Sequence, residues 1–181
     1  TRLIQGTGQI SKSSPQQKFE LKNVLGVVAP VYYEHGLCNY ETTKDILKTI
    51  MQIGEKSFDR VFVSLHPKMD IKNYSFLNSG VCEVFHSNIE KLISVSSKIC
   101  IPAGSSIYAD ALEAGIFSCV FNPLKLRFDV NYEQYRQYGL RYCETMDEML
   151  VILSEANAIQ KADKGIKISS DRNMFKKIIE R

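Results

Sequence analysis

The chain has 181 residues, which is enough for one α/β domain with a full hydrophobic core plus a tail. Its hydrophobic fraction of 44% and charged fraction of 24% are those of a globular protein, and no apolar run approaches the roughly 20 residues of a membrane-spanning helix. The net charge of +3 is concentrated in residues 160–181, so the remainder of the chain has no basic surface suited to nucleic acid.

The first and last segments differ in composition from the middle of the chain. Residues 1–23 show little apolar periodicity, and we expect an interdomain connection or a flexible lead there. The chain begins at Thr1 rather than Met, which predicts a processed product or an excised fragment of a longer protein. Residues 161–181 predict a basic amphipathic tail helix, which would return to a missing N-terminal domain, touch an anionic membrane surface or bind a partner.

Between these segments, residues 24–160 alternate short apolar runs with helical patterns. Helix starts are predicted at Thr42 and at two capping-box patterns, Ser87 to Glu90 and Thr145 to Glu148, the last helix running to about Gln160. A short helix follows Ser106, and another pattern covers 131–138. The predicted strands are 24–31, 60–65, 81–85, 98–101, 117–121 and 140–143. This order predicts an α/β fold, with a doubly wound parallel sheet of about six strands and helices on both faces.

The five cysteines form no CxxC pair. Cys82, Cys100 and Cys119 lie in or beside apolar runs, where a thiol behaves as a small hydrophobic group. This usage favours a reducing, cytoplasmic setting without disulfides or zinc.

The strongest candidate site is the turn that follows the fourth predicted strand. Gly104, Ser105 and Ser106 would bring backbone N–H groups, two hydroxyls and the positive end of a helix to one point, which is typical of a phosphate site. Asp110 lies one helical turn after Ser106, where a carboxylate could accept hydrogen bonds from a ribose. The structural alternative is a serine N-cap followed by a solvated carboxylate.

This segment, Gly104-Ser-Ser-Ile-Tyr-Ala-Asp-Ala-Leu-Glu-Ala-Gly115 followed by a strand and Asn122-Pro123, resembles part of the C-terminal domain of GT-B nucleotide-sugar enzymes. Bacterial glycosyltransferases and nucleotide-sugar 2-epimerases belong to this superfamily, whose domains are Rossmann-like. The resemblance implies that Ser105 and Ser106 bind the diphosphate and that Asp110, where the family usually has Glu, binds the ribose. His66-Pro67 also resembles the His-Pro element of bacterial transferases, including sialic-acid-type enzymes, in which the His meets the donor phosphate. The structural alternative is a His at the end of a strand that is capped by the backbone, with Pro67 ending the strand.

Two further candidates follow the first and third predicted strands. Glu34 or His35 could act as a general acid or base, and Gly36 lies in the same loop, where GT-B enzymes approach the donor phosphates. Phe85 and His86 occupy the position at which this family usually cradles the nucleobase. For the residues after the first strand, the structural alternative is an exposed loop.

The resemblance implies the donor-binding half of a glycosyltransferase of bacterial surface polysaccharide synthesis. We expect a UDP- or CMP-sugar as the ligand, no metal or other cofactor, and no turnover by these residues alone, because the acceptor site would lie on the missing N-terminal domain. One alternative is a 2-epimerase, although its basic His-Arg-Arg-Glu-Asn type signature is absent from this sequence. Another is a non-catalytic Rossmann-like interaction module that binds a partner through the basic tail.

Overall fold

The computed structural model describes residues 23–155, so the predicted lead (1–23), apart from its last residue, and the predicted tail (161–181) lie outside the described residues. The last helix ends at Ser154, with Glu155 as its C-cap, rather than at about Gln160 as predicted. The described part contains six strands and four α-helices. In chain order these are β1 (Val24–Val28), α1 (Tyr40–Ser57), β2 (Arg60–Leu65), β3 (Cys82–His86), α2 (Ile89–Val95), β4 (Lys98–Pro102), α3 (Ile107–Glu113), β5 (Phe117–Phe121), β6 (Leu140–Cys143) and α4 (Met146–Ser154). Two 3₁₀ helices, Ile71–Leu77 and Tyr132–Tyr138, lie in the connections before β3 and β6.

The strands form one sheet in the order β3-β2-β1-β4-β5-β6, and every neighbouring pair is parallel. All five residues of β1 are buried, as expected for a central strand covered on both faces. The helices α1 and α4 pack on one face, and α2 and α3 pack on the other. The predicted α/β fold with a doubly wound parallel sheet is therefore confirmed.

Two predicted helix starts are wrong. The first helix begins at Tyr40, because the Asn39 side chain accepts a hydrogen bond from the Thr42 backbone N–H and serves as the cap that had been predicted for Thr42. In α2 the cap is Asn88, whose side chain accepts from the Lys91 N–H, rather than Ser87. The capping box at Thr145 and Glu148 is confirmed in both of its halves.

The order of the strands places a switch point at the centre of the sheet. The chain moves from β1 outward to β3, then crosses back to β4 beside β1 and continues outward to β6. The connections that leave β1 and β4 consequently run in opposite directions, which opens a crevice beyond the carboxyl ends of these two strands. All of the loops that carry candidate residues lie at this edge of the sheet, because the strands are parallel.

No helix within residues 23–155 combines the length and the apolar character that a membrane span requires.

Candidate functional site

A cavity of about 370 Å³ lies at the switch point, within the size range of small-molecule sites. It is bounded by the loops that follow β1, β2, β3 and β4, and none of the described residues that line it is acidic. Four of the predicted site residues come together there from three loops: His35, His66, Ser105 and Ser106. The polar groups Tyr32, Ser64 and Ser87 join them, and apolar side chains form much of the remaining wall.

Hydrogen bonds around Lys68 define the tautomers of the two histidines. The Lys68 backbone N–H donates to His66 Nδ1 at 3.1 Å, so the neutral His66 ring carries its proton on Nε2. The Lys68 ammonium, which can only donate, lies 3.4 Å from His35 Nε2. Nε2 of His35 is therefore the acceptor, and the neutral ring carries its proton on Nδ1.

The environment lowers the pKa of both histidines. Partial burial is the largest cause for each, and the positive charge of Lys68 acts in the same direction. The pKa of His66 is lowered further by His35, whereas the carboxylate of Glu34 partly opposes the shift at both rings. At neutral pH both imidazoles are therefore uncharged, and His66 can offer its Nε2–H to an acceptor.

The hydroxyls of the two serines after β4 contribute little to capping α3. Ser106 occupies the N-cap position of α3, but its side chain makes no capping hydrogen bond. The Ser105 hydroxyl accepts only a long contact of 3.4 Å from the Ile107 N–H. The backbone N–H groups of Gly104 and Ser105 are already used, since they donate to Tyr132 Oη and to the Pro102 carbonyl. These two N–H groups are therefore not free to bind a phosphate, whereas the serine hydroxyls remain potential donors.

The remaining predicted site residues do not line the cavity. Phe85 is buried and stacks on Phe62 with ring centroids 5.1 Å apart, and Lys91 covers its ring. His86, Asp110 and Gly36 are exposed at positions outside the cavity wall. Their roles in binding a base, a ribose or a phosphate stay predictions.

Glu34 does not line the cavity, although its charge acts on both histidines. Its Oε1 accepts a hydrogen bond from Tyr74, and its Oε2 is buried without a hydrogen-bond partner among residues 23–155. The carboxylate can therefore act on the site through its charge, which favours protonation of the two imidazoles.

Sequence reasoning missed two cavity residues, Ser64 and Ser87. Ser64 is the fifth residue of β2 and is 1% exposed, and its hydroxyl has no hydrogen-bond partner in the described part of the chain. Ser87 has a left-handed backbone (φ 55°), which is uncommon for a residue other than glycine. A serine inside an apolar strand gives no sequence signal of a site, and the Ser87 pattern had indicated only a helix start.

The fold and this cavity define a class of protein: a doubly wound α/β domain with a small-molecule-sized cavity at its switch point. Comparison of the chain with protein-family models, with curated proteins and with solved structures finds no match. Residues 23–155 contain no group of three or more His, Cys, Asp or Glu side chains arranged to hold a metal ion.

Proposed function

We propose that this chain is the donor-binding domain of a nucleotide-sugar-dependent glycosyltransferase of bacterial surface polysaccharide synthesis. The observation that carries the proposal is the convergence of His35, His66, Ser105 and Ser106 from three separate loops on one cavity at the switch point. This is the position at which doubly wound sheets bind nucleotides. The resemblance of the Gly104 to Gly115 segment and of His66-Pro67 to GT-B enzymes supports the choice of a nucleotide sugar.

The chemistry of the cavity suits a phosphate group. Its polar lining offers hydroxyl donors from Ser105 and Ser106 and an Nε2–H donor from His66, without an acidic side chain to repel an anion. In glycosyl transfer, these donors would stabilise the negative charge that develops on the departing phosphate. The donor-binding role would be common to a transferase and a 2-epimerase, and in either case these residues would bind the donor without turnover.

Calorimetric titration of the 181-residue chain with UDP, CMP and GDP tests the proposal. We expect saturable binding of one nucleotide, and the double variant Ser105→Ala/Ser106→Ala should weaken it by about 1.5–3 kcal/mol because hydrogen bonds to a charged group are lost. Ser94→Ala is the matched control, since the Ser94 hydroxyl lies on α2 and donates to the Lys91 carbonyl away from the cavity. Absence of binding for all three nucleotides by the folded chain would refute the donor-binding role.

The predicted ribose contact needs its own variant. Asp110 is exposed and does not line the cavity, so Asp110→Ala separates the two halves of the sequence hypothesis. Loss of affinity in Asp110→Ala comparable to that in the serine variant would support a ribose contact. Unchanged affinity would assign binding to the cavity without Asp110.

A further inference from the structure

Ser64 lies in strongly apolar surroundings on the α2/α3 side of the sheet. It is the registered neighbour of Val28 in β1 and of Phe85 in β3, and both of these side chains belong to the core on that side. The cavity that Ser64 lines is also lined by Ile89 and Ile107 from α2 and α3, which pack against the same core. A buried hydroxyl at this point has lost its hydration without gaining a partner among residues 23–155, which is unfavourable in the free protein.

A second buried serine shows the usual arrangement. Ser118 in β5 is 0% exposed, and its hydroxyl donates to the Ile116 carbonyl at 3.0 Å. The two serines therefore occupy strands of the same sheet at similar burial, but only the Ser118 hydroxyl is satisfied internally. The difference indicates that the partner of Ser64 is a group that enters the cavity.

We infer that Ser64 is a specificity-determining residue whose hydroxyl hydrogen-bonds the heterocyclic base of the nucleotide. This inference rests on the proposed function. The polar residues of the wall that suit a phosphate, His35, His66 and the serines after β4, all follow the ends of strands, whereas Ser64 lies within β2 between Val28 and Phe85 of the neighbouring strands. A base has apolar faces and a polar edge, which matches a single hydroxyl in an apolar wall. A sugar ring carries hydroxyls around its circumference, and most of them would be left unpaired there.

The test compares Ser64→Ala with Ser118→Ala in the full chain. Removing an unsatisfied buried hydroxyl should raise the midpoint of thermal unfolding of the free protein by about 2–4 °C, whereas Ser118→Ala should lower it. Calorimetric titration first identifies which of UDP, CMP and GDP binds to the wild type. Ser64→Ala should lower the affinity for that nucleotide by about three- to tenfold. The affinity for ribose 5-phosphate, which has no base, should not change.

Three results would overturn the inference. If Ser64→Ala destabilises the free protein as Ser118→Ala does, the hydroxyl has an internal role. If Ser64→Ala binds the nucleotide as tightly as wild type does, or if its affinity for ribose 5-phosphate falls by the same factor, then Ser64 does not contact the base. The donor-binding role would still stand in both cases. If wild type binds none of the three nucleotides, the proposed function fails and the inference fails with it.

Discussion

Tyr74 donates a 2.6 Å hydrogen bond to Glu34 Oε1 and so anchors a carboxylate whose charge acts on both histidines of the cavity. Burial raises the pKa of Tyr74, with the hydrogen bond to Glu34 as the second cause, so the phenol keeps its proton and remains the donor. The charge of Glu34 in turn raises the pKa of His35 and His66 against the larger effect of burial. The pair therefore makes these imidazoles easier to protonate when an anion arrives.

Affinity for a nucleotide sugar should consequently increase as the pH falls. A phosphate beside His35 and His66 favours their charged forms, so binding takes up protons, and we expect affinity to rise several-fold from pH 8 to pH 6. The measurement is calorimetry in two buffers of different ionisation enthalpy, with the nucleotide sugar as ligand because its phosphodiester groups do not titrate in this range. Affinity that is independent of pH, with no proton uptake, would show that the imidazoles are not protonated when the phosphate binds.

Glu34→Gln should shift that pH dependence. Loss of the carboxylate lowers the pKa of both histidines further, so the increase in affinity should move to lower pH. NMR titration of the imidazole signals measures the same change in the free protein. Glu41→Gln is the control, since Glu41 is exposed on α1 and pairs with Lys44. If the two variants shift the pH dependence and the imidazole titrations equally, the Glu34 charge does not act on the histidines.

The same histidines should make the free protein less stable in mild acid. Their pKa values are lower in the folded state than in the unfolded chain, so the unfolded chain binds protons first as the pH falls below about 6.5. Stability is lost through that range and levels off below the folded pKa values. Urea unfolding at pH 7.5 and 5.5 measures the loss, which should be smaller in the double variant His35→Gln/His66→Gln. An identical loss in the variant would contradict this assignment.

Alanine variants of two glycines with left-handed backbones compare the cost of backbone strain alone with the cost of strain plus a steric clash. Gly36 has φ +69° and open space around its α-carbon, whereas a Cβ on Gly104, with φ +84°, would lie 2.2 Å from the Phe128 ring. Gly36→Ala should cost about 1–2 kcal/mol of unfolding free energy from backbone strain alone. Gly104→Ala should cost about 2–5 kcal/mol, because Phe128 must also move.

Urea unfolding measures both glycine variants. Similar losses of unfolding free energy in the two variants would show that the Phe128 ring moves aside without a measurable loss of stability. A larger loss in Gly104→Ala should be accompanied by weaker nucleotide binding, because Gly104 directly precedes the two cavity serines.

The sequence allowed the sheet to be predicted because the strand signals are strong and local. The run Val24–Val28 is apolar at each position apart from Gly26, and the structure buries all of it. The start of α4 was predicted because Thr145 and Glu148 carry both halves of a capping box. Asn39 and Asn88 were missed as caps because a nearby Thr or Ser also offers a side-chain oxygen, and the path of the preceding loop decides between them.

The site was predictable only where its residues follow strand ends. His35, His66, Ser105 and Ser106 could be grouped in advance because parallel strands bring their carboxyl ends to one edge. Ser64 could not, because its importance depends on the absence of a hydrogen-bond partner among the side chains packed around it. Glu34 was selected for its chemistry, but its hydrogen bond with Tyr74 could not be predicted, because Tyr74 is forty residues away in the chain.

We expect Lys98 to stabilise the C-terminal part of the described domain through its contact with the end of α4. It lies in β4, is 7% exposed, and its ammonium donates to the carbonyls of Leu153 and Glu155 at 2.5 and 2.6 Å. The last carbonyls of a helix have no partners within that helix, so this side chain satisfies two groups at the end of α4. Lys98→Met keeps much of the apolar stem but leaves these groups without their donor, and we expect a loss of about 1–3 kcal/mol in unfolding free energy.

The control for Lys98 is Lys91→Met, because Lys91 is an exposed lysine that pairs with Glu83 at 3.7 Å and lies over the Phe85 ring. Surface changes of this kind alter the unfolding free energy by about 0.5 kcal/mol or less. Urea unfolding of the two variants gives the comparison, and hydrogen exchange of the α4 amides locates the effect. If Lys98→Met loses no more stability than Lys91→Met, or if exchange increases elsewhere but not in α4, then water replaces the lysine at the helix end and the contact does not hold α4 on the sheet.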